Sequence, residues 1–235
     1  MLRLWVNFML LACFCCVSLT AWAATPQPVG TAYKQRYVNL VAAASCLGVY
    51  LPEEGHEFDY LRSFGWEITS QQVTQGKVET NFAIAKNYYP EQKKQFYLVT
   101  FRGSASKKDW SLNLKTERVN YGGATLAEME RIAAQPLDKE QPAVHSGFNS
   151  YVQTVLRTAV IDENGQWQGV FRDTLSNPDA YLILTGHSLG GAVATLLGER
   201  LVSLGFPKDK FTVVSFGAPA IGNQAFADTY GMSIN

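Results

Sequence analysis

At 235 residues, 47% hydrophobic and 17% charged, the chain has enough apolar content to bury one sizeable core, and a single domain is the expected organisation. Its 20 basic and 20 acidic residues cancel, and no basic run suited to nucleic acid occurs, so no nucleic-acid or other polyanionic partner is implied.

Residues 1–23 read as a secretory signal peptide. Arg3 supplies the positive start, Leu4 to Leu19 is almost wholly apolar, and Ala21-Trp22-Ala23 is a small-x-small cleavage site. The expected mature domain is 24–235, secreted or periplasmic, opening on Thr-Pro-Gln-Pro. An uncleaved anchor is the rival, because the apolar run is nearly long enough to span a bilayer. Cys13, Cys15 and Cys16 fall inside the leader without a clean lipobox. The mature chain keeps only Cys46, so no internal disulfide is available, and the helical pattern around it makes it a buried packing thiol.

Residues 31–50 have apolar positions at helical spacing, closed by Pro52 and Gly55. Glu67–Gln72 and Thr80–Tyr89 read as strands, the second paired with Gln95–Phe101 across the polar turn at 89–94. Lys108–Leu114 is a short helix or tight loop. A polar connection over 122–143 holds one helix near Leu126–Ala134, and Ser146 is expected to cap a helix running to about Val160. Turns at 162–165 and 177–179 precede an apolar strand at 181–185. A helix over 189–204 follows, stopped by Gly205-Phe-Pro207. Then come a strand at 211–216 and a further helix opening within 222–230. Strands alternating with helices predict an α/β fold with a mostly parallel central sheet and helices on both faces.

The chemistry concentrates at Gly186-His187-Ser188-Leu189-Gly190-Gly191. An apolar strand, a sharp turn with serine at its tip and a small-residue helix form the G-x-S-x-G nucleophile elbow of an α/β-hydrolase. Gly186 and Gly190 are glycine because a side chain at either would collide with the neighbouring strand or helix. Ser188 is the candidate nucleophile. The backbone N–H of Leu189, opening the helix, points toward the reacting carbonyl with the helix dipole behind it. A second oxyanion donor is expected on the loop after an earlier strand, and Phe101-Arg102-Gly103-Ser104 fits. His187 sits beside the nucleophile but points away from substrate, as a packing and hydrogen-bonding residue. His145 reads as structural and His56 as a surface residue.

Four ordered blocks carry a more specific likeness: Phe101-Arg-Gly-Ser-Ala-Ser106 with Trp110, Val144-His-Ser-Gly-Phe148 with Tyr151, Gly186–Gly191, and Ser215-Phe-Gly-Ala-Pro219 with Gly222-Asn223 and Phe226-Ala227. Over roughly 100–230 the chain resembles the fungal-type (class 3) triacylglycerol lipases. The resemblance implies an exported carboxylic-ester hydrolase with a serine acyl-enzyme at Ser188. It implies that Ser104 contributes to the oxyanion hole through its N–H and hydroxyl, Leu189 through its N–H, and that Ala105–Leu114, anchored by Trp110, is a lid. Ester or lipid substrates and transient contact with a lipid interface follow. No metal or organic cofactor is implied.

The sequence departs from that pattern in one respect. Such triads run Ser, then Asp or Glu, then His along the chain, yet no histidine follows Ser188. Glu199 and Asp209 lie on or just after the elbow helix, Asp228 lies on the next helix, and none is assigned. The triad Asp and His are expected beyond Asn235, with the last strands of the sheet. The alternative is a non-catalytic hydrolase scaffold that binds lipid or a protein partner.

Overall fold

The computed structural model describes residues 31–50, 58–75, 78–90, 92–104 and 117–231. The leader, His56, the lid segment with Trp110, and the last four residues lie outside them. By compactness the chain divides into Met1–Tyr37 and Val38–Asn235. The described part of the first is the start of helix α1 (Thr31–Gly48); the second holds every other described element.

In that second unit a five-stranded sheet carries the fold. Strands β1 (Glu67–Gln75), β2 (Val78–Tyr89) and β3 (Lys94–Phe101) follow one another closely in the chain and pair antiparallel. Two small elements lie outside the sheet, strand β4 (Arg118–Asn120) and helix α3 (Leu126–Ala133), and β4 pairs with β5 (Ala143–His145) as a separate antiparallel ribbon. Strands β6 (Ala180–His187) and β7 (Phe211–Phe216) then join β3 in parallel, giving the order β1-β2-β3-β6-β7. The sheet is therefore mixed: two of its four pairings are antiparallel, and the expected parallel arrangement holds for the half that carries the site. Chain length decides this, since a hairpin fits in a few residues and a parallel return needs a crossover of a dozen or more.

Three helices cover one face: α4 (Ser146–Val155), α5 (Gly169–Ser176) and α6 (Leu189–Ser203). Val99, Phe101, Leu182 and Leu184 share one core with Val152, Phe171, Leu196 and Leu197 from these helices. The alternate residues Leu98, Thr100, Ile183 and Thr185 are buried on the opposite face. There Thr100 donates to Ser45 Oγ at 2.8 Å, and Cys46 Sγ lies 3.5 Å from Thr185 Oγ1. Both partners belong to α1, so β6 is covered on both sides, which explains its near-continuous apolar sequence.

The helix expected to run to Val160 is α4 followed by a π-helical turn, Leu156–Val160. Its cap is His145 rather than Ser146: His145 Nδ1 accepts from Gly147 N–H at 3.1 Å, and the ring stacks on Phe148. Helix α2 (Asp59–Ser63) and helix α7 (Gln224–Tyr230) complete the described elements. Asn223 caps α7 and also accepts from Ala143 N–H at 3.0 Å, tying that helix to β5.

Candidate active site

Strand β6 ends at His187 and helix α6 begins at Leu189, so Ser188 alone makes the turn. It does so at φ 56°, ψ −125°, a region that side-chain-bearing residues seldom occupy. The strain is held from both sides. Ser188 N–H donates to Phe216 O at the end of β7 (2.9 Å), and Ser188 O accepts from Gly191 and Ala192 N–H at 3.0 and 3.2 Å. A serine there stands at the edge of the sheet, as a nucleophile must.

The glycines behave as the elbow motif requires. A Cβ on Gly190 would overlap the Phe101 carbonyl oxygen and lie 2.8 Å from the carbonyl carbon. One on Gly186 would collide with the Gly190 carbonyl and come within 2.7 Å of Gly191 N. The ends of β3 and β6 and the first turn of α6 are thus in backbone-to-backbone contact. Leu189 lies in that first turn, where N–H groups have no intrahelical acceptor and remain available to a ligand.

The expected second donor lies at the same edge. After β3, Arg102 N–H donates to Asn81 O at 2.9 Å. Gly103 then passes between the Tyr50 hydroxyl and the His187 carbonyl, with no room for a side chain. Ser104, half-buried, follows directly. The structure thus gathers Gly186, Ser188, Leu189, Gly190 and the Gly103-Ser104 turn, although 85 positions separate 103 from 188.

The His187 side chain is engaged by Tyr50. Its Nδ1 lies 2.9 Å from Tyr50 Oη, and the two rings meet edge to face at 5.9 Å. The ring is open to solvent on one side, and desolvation of the rest pulls its pKa below the ordinary histidine value. His145 is occupied as a helix cap. Neither histidine has a hydrogen bond to Ser188 among the described residues. The candidate acids are elsewhere too: Glu199 is buried on α6 and accepts from Ser203 Oγ at 2.6 Å, and Asp228 bonds Gln224 on α7.

Burial pushes the Cys46 thiol up to about 12, against the opposing Thr185 contact. Burial and the neighbouring Cys46 push the Tyr50 phenol up to about 12, against the Gly103 backbone and Arg102. Both groups are held protonated in the fold, whereas in the unfolded chain they ionise near 9 and 10. A raised pKa stabilises the fold below the unfolded value and loses that contribution as pH climbs toward the folded value. The melting temperature is therefore expected to fall from about pH 9 toward pH 12. Cys46→Val should delay the onset toward pH 10, as read by thermal unfolding across that range.

A serine at a strained strand-to-helix turn, on a sheet with helices on both faces, defines an α/β-hydrolase fold. The family model Lipase (class 3) matches residues 98–235, and the chain belongs to that family. It is 29% identical over 162 residues to the secreted mono- and diacylglycerol lipase 1 of Fusarium solani, covering 69% of this chain and 41% of that protein. It is 30% identical over 155 residues to the lipase of Rhizomucor miehei, covering 64% and 35%. The chain thus spans less than half the length of these relatives. Among solved structures, the Rhizomucor miehei triacylglyceride lipase superposes with a TM-score of 0.59 at 20% identity, over 88% of this chain and 69% of that one. Lipase II from Rhizopus niveus gives 0.58 at 20%, over 87% and 69%. At these identities the structural likeness bears on the fold.

Proposed function

We propose that the protein is an exported carboxylic-ester hydrolase, triacylglycerol lipase-like, that works through a Ser188 acyl-enzyme. The observation that carries this reading is the backbone of Ser188, held at φ 56°, ψ −125° at the tip of the strand-to-helix turn. Ser188 Oγ attacks the ester carbonyl. The oxyanion is received by Leu189 N–H and by the N–H and hydroxyl of Ser104. The alcohol leaves, and water then releases the acid and regenerates the serine. This acyl transfer calls for no metal or organic cofactor. The substrate class is supported by family membership and by the acylglycerol lipase of Fusarium solani. Export rests on the leader at 1–23 and agrees with that relative being secreted. Residues 24–235 belong to the hydrolase domain, whose last strands are expected beyond Asn235, and transient contact with a lipid interface brings it to its substrate.

The reading needs an imidazole and a carboxylate for Ser188, and none of the described residues supplies them. A second reading is a scaffold of the same fold that binds lipid or a protein partner without turnover. A fluorophosphonate probe separates the two. The hydrolase reading predicts stoichiometric mass gain on the Ser188 peptide, absent in Ser188→Ala. Folded protein that takes up no label at Ser188 hands the case to the scaffold.

A further inference from the structure

Helix α1 does more than cover the sheet. Its C-terminal end is fastened to β3 through Ser45 and Thr100 and to β6 through Cys46 and Thr185, and Thr100 and Thr185 are register partners on the two parallel strands. Two residues beyond the helix, Tyr50 reaches the next layer toward the site. Its hydroxyl lies 2.9 Å from His187 Nδ1 and 3.4 Å from His187 O. Its oxygen also packs against the Gly103 backbone, in the space that a Cβ there would take. One hydroxyl therefore joins the residue before the nucleophile to the residue before the oxyanion serine.

We infer that Tyr50 is a positioning residue for the acyl-transfer site: its hydroxyl clamps Gly103 to His187 and so sets Ser104 against Ser188. The inference rests on the roles proposed above for Ser188 and Ser104. A phenol suits the task because it can donate to His187 Nδ1 while its oxygen fills the space beside Gly103. The protonation states agree, since Tyr50 is held neutral far above neutral pH and His187 is biased toward the uncharged form that can accept. Gly103 completes the fit, because any side chain there would evict the hydroxyl. The loop at Ser104 leaves the sheet after Phe101, so the clamp holds backbone that no longer has strand pairing to fix it. Oxyanion donors must be held within about half an ångström of their working positions.

Tyr50→Phe removes one oxygen and keeps the ring against His187. Its melting temperature should stay within a few degrees of wild type. The first-order phosphonylation step at Ser188 should slow about ten- to a hundred-fold, with the probe's initial affinity unchanged. In the same samples, Gly103 amide exchange should accelerate, and the His187 Nδ1 nitrogen resonance should lose its hydrogen-bonded shift. His187→Phe removes the acceptor and keeps Tyr50. It should slow labelling similarly, and the double variant should be no slower than either single one. The clamp is overturned if exchange and resonance are unchanged in Tyr50→Phe, if they change while labelling does not, or if the two losses multiply. Should Tyr50→Phe fail to fold, the His187→Phe measurements decide by the same criteria. Wild-type protein that never labels at Ser188, yet has a protected Gly103 amide, would overturn the nucleophile reading and the positioning role with it. The exchange data distinguish that failure from a missing clamp.

Discussion

Ser188→Gly is expected to abolish acylation and to make the protein more stable. The serine occupies φ 56°, ψ −125°, and such conformations cost a side-chain-bearing residue about 1–3 kcal/mol. Glycine adopts them freely but brings a more disordered unfolded chain, which returns roughly 0.5–1 kcal/mol of the gain. The net is about 1 kcal/mol, a rise of roughly 2–4 °C in melting temperature for a chain of this size. Ser188→Ala gives the contrast, because it removes the same hydroxyl and keeps the Cβ that is strained. Alanine should leave the melting temperature near wild type, while both variants lose ester hydrolysis by a factor of about 10⁴ or more. Thermal unfolding and ester turnover on the same three proteins test both halves. A glycine variant that melts below the alanine variant would mean that the elbow stores no strain.

That strain was legible in the sequence because the elbow is local: strand, turn and helix lie within Ala180–Ser203, and glycines mark where the backbone crowds. The helix at 31–50, the hairpin around 89–94 and the helix at 189–204 were readable for the same reason, each being decided by periodicity or turn chemistry within a short window. The Gly103-Ser104 turn is legible as a strand end, a glycine and a hydroxyl residue, and the ordered blocks make it more specific. Other features had no local signal. Strands β4 and β5 are three residues each, and their pairing spans the polar connection between them. His145 replaced Ser146 as the cap because its ring could stack on Phe148 while Nδ1 took the Gly147 N–H. In the sequence Tyr50 is only the last residue of the helical spacing at 31–50. Its role depends on a partner 137 positions away, a contact that only the packing of α1 across β3 and β6 creates.

The same packing makes Gly190→Ala strongly destabilising. In an ordinary helix, glycine to alanine stabilises by about 0.5–1 kcal/mol. Here the new methyl would sit on the Phe101 carbonyl oxygen, with Phe101 C at 2.8 Å and Arg102 C at 3.1 Å. These are main-chain atoms of a central strand and its exit, so no rotamer change can relieve the overlap, and helix α6 must move off β3. Overpacking a core commonly costs about 1–3 kcal/mol. A rigid backbone clash belongs at the upper end or beyond, and about 3–5 kcal/mol is expected. Gly191→Ala supplies the graded comparison. Its methyl would meet Gly186 O at 2.9 Å and the Cβ atoms of Ala218 and Ser215 at 3.1 and 3.3 Å, a smaller overlap than at Gly190, so a loss of about 1–2 kcal/mol is expected. Denaturant unfolding should rank the proteins wild type, Gly191→Ala, Gly190→Ala in falling stability. Ester turnover should fall further than stability in Gly190→Ala, because the displaced first turn carries Leu189 N–H away from Ser104. Equal stability of the two alanine variants would mean that α6 is free to slide on β3, and the close backbone contact would then not be what holds the two proposed oxyanion donors together.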